Sequence, residues 1–284
     1  MTRSQLLALA AGLGVLSAVL EFAVRADGLA RLSPFFLTSY TLATAVRFAG
    51  AVLQVCAFGV AVVAFLRPPG TRRTPLLAAS AGLFAAWGAA TMISQLINLI
   101  DGAGFGGDFK WFSMAEVAFA AGALALVLAA GLVFVAVRST APRSTLAWAC
   151  MALAAHFALV AAAYGFDLAG YDSYSSPGGR VTSGLIVGAA GWCIAATAAV
   201  KGAIAFSTGG MRRSRELGIA AVVFAVGFAI AAVGLMLYAI QWQSWVVALS
   251  ELALAGAAAV GAAAFFRPLQ QRYGPYLAVP PDPA

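Results

Sequence analysis

The chain reads as an all-α, polytopic membrane helical bundle of about eight transmembrane helices, and three observations predict it. Hydrophobic residues make up 63% of its 284 positions and charged residues only 10%, whereas a water-soluble domain carries about 25% charged residues. Mean hydropathy is +0.94. The apolar residues also gather into runs of the length a bilayer demands, about 20 residues per span, without the period-two alternation of strands closed into a barrel. Lipid must be the solvent for most of such a surface.

Each run has a visible start or stop. The first, 5–24, lies between Arg3 and Arg25. It begins like a signal peptide, but it has the length of a full span and no convincing small-residue cleavage site after it, so it reads as a retained first helix. The second, 39–66, stops at Arg67, Pro68 and Pro69; the third, 75–100, follows Thr71-Arg-Arg-Thr74 and ends at Asp101. The fourth, 114–137, ends at Arg138, and the fifth, 145–164, follows Pro142 and Arg143 and ends at Gly165. Arg180 precedes the sixth, 181–206; Arg212, Arg213 and Arg215 precede the seventh, 216–240; Arg267 and Pro268 close the eighth, 246–266. Connections are short, so residues 1–284 form a single transmembrane domain, with 273–284 an extended, Pro-rich C-terminal tail.

Counting basic residues orients the bundle. Arg3, Arg67, Arg72, Arg73, Arg138, Arg143, Arg212, Arg213, Arg215, Arg267 and Arg272 fall on one side, against Arg25, Arg31, Lys110 and Arg180 on the other. Asp27, Asp101, Asp108, Asp167 and Asp172 follow the opposite trend. This positive-inside bias predicts cytoplasmic N- and C-termini in the inner (plasma) membrane of a bacterium. The net charge of +7 then reflects topology and attraction to anionic lipid heads, and no nucleic-acid partner is expected. Trp111, Trp242 and Trp245 sit at the expected outer boundaries, as an aromatic belt would.

Local matches suggest a parallel repeat of four plus four helices, in halves 1–140 and 141–272. Thr71-Arg-Arg-Thr74 matches Met211-Arg-Arg-Ser214, Phe84-Ala85 matches Phe224-Ala225, and Glu116 aligns with Glu251. Small residues spaced four apart, Gly184 with Gly188 and Ala257 with Gly261, allow close helix packing where lipid removes the hydrophobic drive. Cys56, Cys150 and Cys193 read as buried small hydrophobes, without the spacing of a metal site.

A charge in hydrocarbon costs about 2.5–3.5 kcal/mol on insertion scales, so each one needs a partner or a purpose. Lys201 is close enough to its helix end to snorkel. Glu21, Arg47, Glu116 and Glu251 all fall in the outer halves of their spans, and Thr91, Gln95, Asn98 and Asp101 form a stripe along the third. Together Glu21, Arg47, Gln95, Asn98, Asp101, Glu116 and Glu251 are expected to make one polar pocket; the alternative is that Glu21, Glu116 and Glu251 simply reach the outer headgroup region, with Arg47 and Glu21 a structural ion pair. Three glutamates facing one arginine leave negative charge that a proton or bound cation must offset. The glycine-rich stretch from Asp101 to Asp108 reads as a linker, with calcium held between its two aspartates as the alternative.

His156 is the only histidine. It lacks the second ligand of a cytochrome-b-type haem; hydrogen bonding to a neighbouring helix is the simple role, single-face ligation of a cofactor the alternative. No cofactor is strongly implied. No catalytic motif or P-loop is readable, and an enzyme is not the expected class. The expected function is a membrane-embedded subunit or scaffold, partnered by other membrane subunits or by copies of itself. The alternatives are a secondary transporter or ion-handling protein using the Glu/Arg pocket, and a single-histidine cofactor-binding protein.

Overall fold

Thr2 and Gln5 open the first helix with a reciprocal cap: the Thr2 amide donates to the Gln5 side chain at 2.7 Å, and the Gln5 amide to the Thr2 hydroxyl at 3.3 Å. The computed structural model describes residues 1–30, 40–68, 74–101, 112–139, 142–172, 179–208, 210–238 and 242–277, with side chains over slightly shorter stretches. Within them run α1 (Arg3–Ala30), α2 (Tyr40–Leu66), α3 (Thr74–Asp101), α4 (Phe112–Arg138), α5 (Pro142–Asp172), α6 (Gly179–Ser207), α7 (Gly210–Tyr238) and α8 (Trp242–Leu277). All eight are long and apolar enough to cross a bilayer, and no strand occurs among the described residues. The chain is an all-helical, multi-pass membrane protein.

The helices overrun the apolar runs that announced them. α1 continues to Ala30 and α5 to Asp172, because a helix keeps its backbone bonds beyond the hydrocarbon while hydropathy marks only the oily part. Arg25, Asp27 and Asp167 are therefore helical. α8 likewise continues to Leu277, so 273–277 are helix instead of the expected extended tail; 278–284 lie outside the described residues.

Among the described residues each helix touches two others, closing a ring in the order α1, α2, α3, α8, α7, α6, α5, α4 and back to α1. Every neighbouring pair is antiparallel. Ser17 donates to the Gly50 carbonyl across α1 and α2, Ser80 to Ala257 across α3 and α8, and Ser214 to Phe265 across α7 and α8. Both chain ends thus leave from one end of the ring, here the terminal end, and the opposite end is the far end. The expected repeat is not confirmed. Parallel halves would pack α3 on α4 as α7 packs on α8, but α3 packs on α8 and α4 on α1.

Packing is inside-out relative to a soluble protein. The seams are almost all alanine, with Ala64, Ala163, Ala195, Ala198, Ala231 and Ala257 fully buried, while Leu16, Leu128, Ile204, Val226 and Leu249 face outward. Small residues let backbones approach, and lipid solvates the branched ones. The α6–α7 seam is the tightest: Gly184, Gly188 and Gly191 meet Gly227, Ala231 and Gly234 backbone to backbone. At the α3–α8 seam Ala257 accepts from Ser80, and a Cβ on Gly261 would lie 3.5 Å from the Ser80 hydroxyl oxygen. Two of the three cysteines do not sit inside: Cys56 and Cys193 are exposed and Cys150 is half-buried. The outer face is itself apolar, so a small hydrophobe gains nothing by being interior.

The ring is filled by aromatic side chains. Phe157 of α5 packs against Trp192, Phe224 and Phe228 with centroids 5.7, 5.7 and 5.8 Å away. Phe84 and Trp87 of α3 join this cluster, and Phe58 of α2 stacks on Phe84 at 5.0 Å. They make a floor across the middle of the ring, with a polar region on its far side.

Candidate functional site

The far-side polar region is built around a residue the hydropathy runs placed outside the membrane. Arg25, one turn past Glu21 on α1, reaches Glu21 Oε1 at 3.0 Å and Glu116 Oε2 of α4 at 3.8 Å, with its guanidinium 4.6 Å from the centroid of Phe119. Asp167 of α5 lies within electrostatic reach of Glu116 and Arg25. Two carboxylates, from α1 and α4, thus share one guanidinium, with a third, from α5, within electrostatic reach. The spacing of Glu21 and Arg25, four apart on a helix, was the available signal for this pair.

Glu21 pairs with Arg25 of its own helix, and Arg47 stands half-buried on α2. The residues expected to line one pocket come from helices on different sides of the ring. Glu21 and Glu116 come together, whereas Glu251 lies on α8, which does not touch α4 among the described residues. Gln95 is half-buried on α3, and Thr91 spends its hydroxyl on its own helix, donating to Trp87 O at 3.1 Å. The side chains of Asn98 and Asp101 lie outside the described residues, as do Asp108 and the rest of the glycine-rich stretch.

Glu251 is the exceptional residue. It is 7% exposed, and its Oε2 is buried and accepts no hydrogen bond among the described residues. Its neighbour Ser250 turns back to Val247 O at 2.6 Å and gives it nothing. Across the ring, on a helix that α8 does not touch, Tyr164 lies within electrostatic reach of Glu251, Asp167 and Arg25. Gly188 makes room for that ring, since a Cβ there would stand 2.8 Å from Tyr164 Cε1. Trp192, one turn further along α6, has a buried indole nitrogen beside the Tyr164 side chain. Glu251, Tyr164 and the aromatic floor therefore bound an interior polar region flanked by the Arg25 network.

Two other polar residues are bound into the scaffold. His156 Nδ1 lies 2.9 Å from the Gly122 carbonyl of α4, and a Cβ on Gly122 would be 3.5 Å from that nitrogen, so the imidazole rests on a bare stretch of backbone. Replacing Gly122 by Leu should displace the ring and cost about 1–3 kcal/mol of thermal stability, the range for an overpacked core. Unchanged melting would contradict this seam. Lys201 does not merely snorkel: its Nζ meets Glu216 Oε2 of α7 at 3.0 Å, near the terminal end.

No protein-family model, curated protein or solved structure matches this chain.

Proposed function

We propose that the chain handles a small cation across the membrane, as a secondary transporter or related ion-handling protein, with Glu251 receiving the positive charge. A single observation carries this reading: a carboxylate 7% exposed, inside a membrane span, with an oxygen that no described residue satisfies. An isolated acid in hydrocarbon is expensive and marks a functional position by default. A proton or a protonated amine at Glu251 would offset its charge. Trp192 and Phe228, packed edge-to-face with centroids 6.0 Å apart, would present an aromatic wall to the apolar part of an organic cation.

This reading is placed ahead of the subunit or scaffold role expected from the sequence because it gives the Glu251 carboxylate a purpose. We further place both termini in the cytoplasm of a bacterial cell, supported by the arginines that flank the terminal ends of the helices.

Proteoliposomes test the reading. Ethidium uptake and an entrapped pH dye report organic cation and proton movement, and Glu251→Gln should reduce the active signal at least ~10-fold, one tenfold step being about 1.4 kcal/mol of lost interaction. The neutral amide is easier to bury than the ionised carboxylate, so this variant should elute and melt as the parent does. Equal flux in parent and variant, or no flux above empty liposomes, would overturn the proposal.

A further inference from the structure

The half of the ring nearest the chain termini holds a second feature, separate from Glu251: a cavity of about 370 Å³ between α1, α2 and α4, floored by Trp87 of α3. It is lined mostly by small and apolar residues. A Cβ on Gly14 would meet nothing within 4 Å, so the space is open along that wall. None of its described lining residues ionises.

Two polar side chains, Gln54 and Ser17, line this otherwise oily space. Gln54 lines it, and its buried Oε1 accepts no hydrogen bond among the described residues. A buried acceptor left unmade is costly, the more so where no water competes to satisfy it. Ser17, also on the wall, donates its hydroxyl to Gly50 O at 2.9 Å and keeps its lone pairs as further acceptors. The volume falls in the range of small-molecule pockets, about 300–1,000 Å³.

We infer that this cavity binds a neutral, largely apolar molecule bearing one hydroxyl-type head, the head at Gln54 and the body along Gly14 and Ala130. A cation is disfavoured there, since no carboxylate lines the wall; an anion is disfavoured for want of a base. A groove of about 680 Å³ runs along the outer face of the α1–α4 seam, where Gly12 faces Phe134, and Val137 lines both groove and cavity. Val137 thus stands between the lipid-facing groove and the interior cavity.

The test uses the full chain in nanodiscs, with empty discs subtracted to remove simple partitioning, and 4-hexylphenol as probe against its methyl ether, which has no donor. Calorimetric titration should show one saturable site for the phenol, about 5–10-fold tighter than for the ether, as a single hydrogen bond provides. Gln54→Leu, close in volume, should bring the phenol down to the level of the ether. Gly14→Leu should abolish saturable binding of both by filling the space. Binding no different from empty discs, or a preference for the phenol that survives Gln54→Leu, overturns the inference. Neither result bears on cation flux through Glu251, so the two readings fail separately.

Discussion

Gly191→Ala should destabilise the protein by about 1–3 kcal/mol or more, although alanine is the better helix former by up to about 1 kcal/mol. The reason is contact of backbone with backbone. A Cβ at Gly191 would stand 2.5 Å from Ala231 N, 2.7 Å from Gly227 O and 2.8 Å from Ala231 Cα. None of these atoms belongs to a side chain that can rotate away, so α6 and α7 must separate. Gly234, which meets Gly188 from the opposite helix, should behave the same way, and the pair Gly191→Ala/Gly234→Ala should lose most of its monodisperse material in detergent.

Gly131 and Gly82 supply the comparison, since a Cβ at either meets nothing within 4 Å. Alanine there should leave the melting temperature unchanged or raise it. The measurement is thermal unfolding of the four variants in one detergent. If Gly191→Ala melts with Gly131→Ala, the close α6–α7 seam is wrong.

That seam was partly legible. Gly184 and Gly188 four residues apart announced a close approach, and the approach is there, because in lipid a small-residue stripe has few uses besides packing. The spans were legible for a simple reason: hydrocarbon demands long apolar runs, and these are counted without knowing any neighbour. Which helix sits beside which was not legible. Ser80 binds the carbonyl of Ala257, and a backbone acceptor leaves no mark in a sequence. Phe84 and Phe224 match as words in a repeat, and both do join the aromatic floor, yet the helices around them are ordered differently in the two halves.

The charges show the same division. Glu251 and Glu116 were found because an acid in an oily run stands out. Arg25 was assigned to a connection because hydropathy ended at Val24, and Glu216 gave no local hint of Lys201, 15 positions earlier on another helix. Both lie where helix continues but oil does not, and there only contacts between helices identify partners.

Arg25 is also the residue whose removal should disturb the polar region most. Glu21 of α1 and Glu116 of α4 meet it, and Asp167 of α5 lies within electrostatic reach. Arg25→Gln removes the guanidinium that Glu21 and Glu116 share and leaves these carboxylates uncompensated. Breaking a fully buried ion pair costs about 3–5 kcal/mol, and an exposed one about 0–1. The side chains here are 24% exposed for Arg25, 34% for Glu21 and 35% for Glu116, so solvent screening brings the expectation to ~1–2 kcal/mol. On a scale of about 2–4 °C per kcal/mol, the melting temperature falls by several degrees. Arg25→Lys keeps the charge but loses the planar contact with Phe119 and should fall between parent and Gln variant.

A second substitution decides whether repulsion is the cause. Glu116→Gln alone removes one end of a favourable pair and should be mildly destabilising. Combined with Arg25→Gln it removes a surplus negative charge, so the double variant should melt above the single Arg25→Gln. An Arg25→Gln protein as stable as the parent would mean that the network carries no net attraction. A double variant less stable than Arg25→Gln would mean that packing lost with the guanidinium, and not the uncompensated carboxylates, sets the cost.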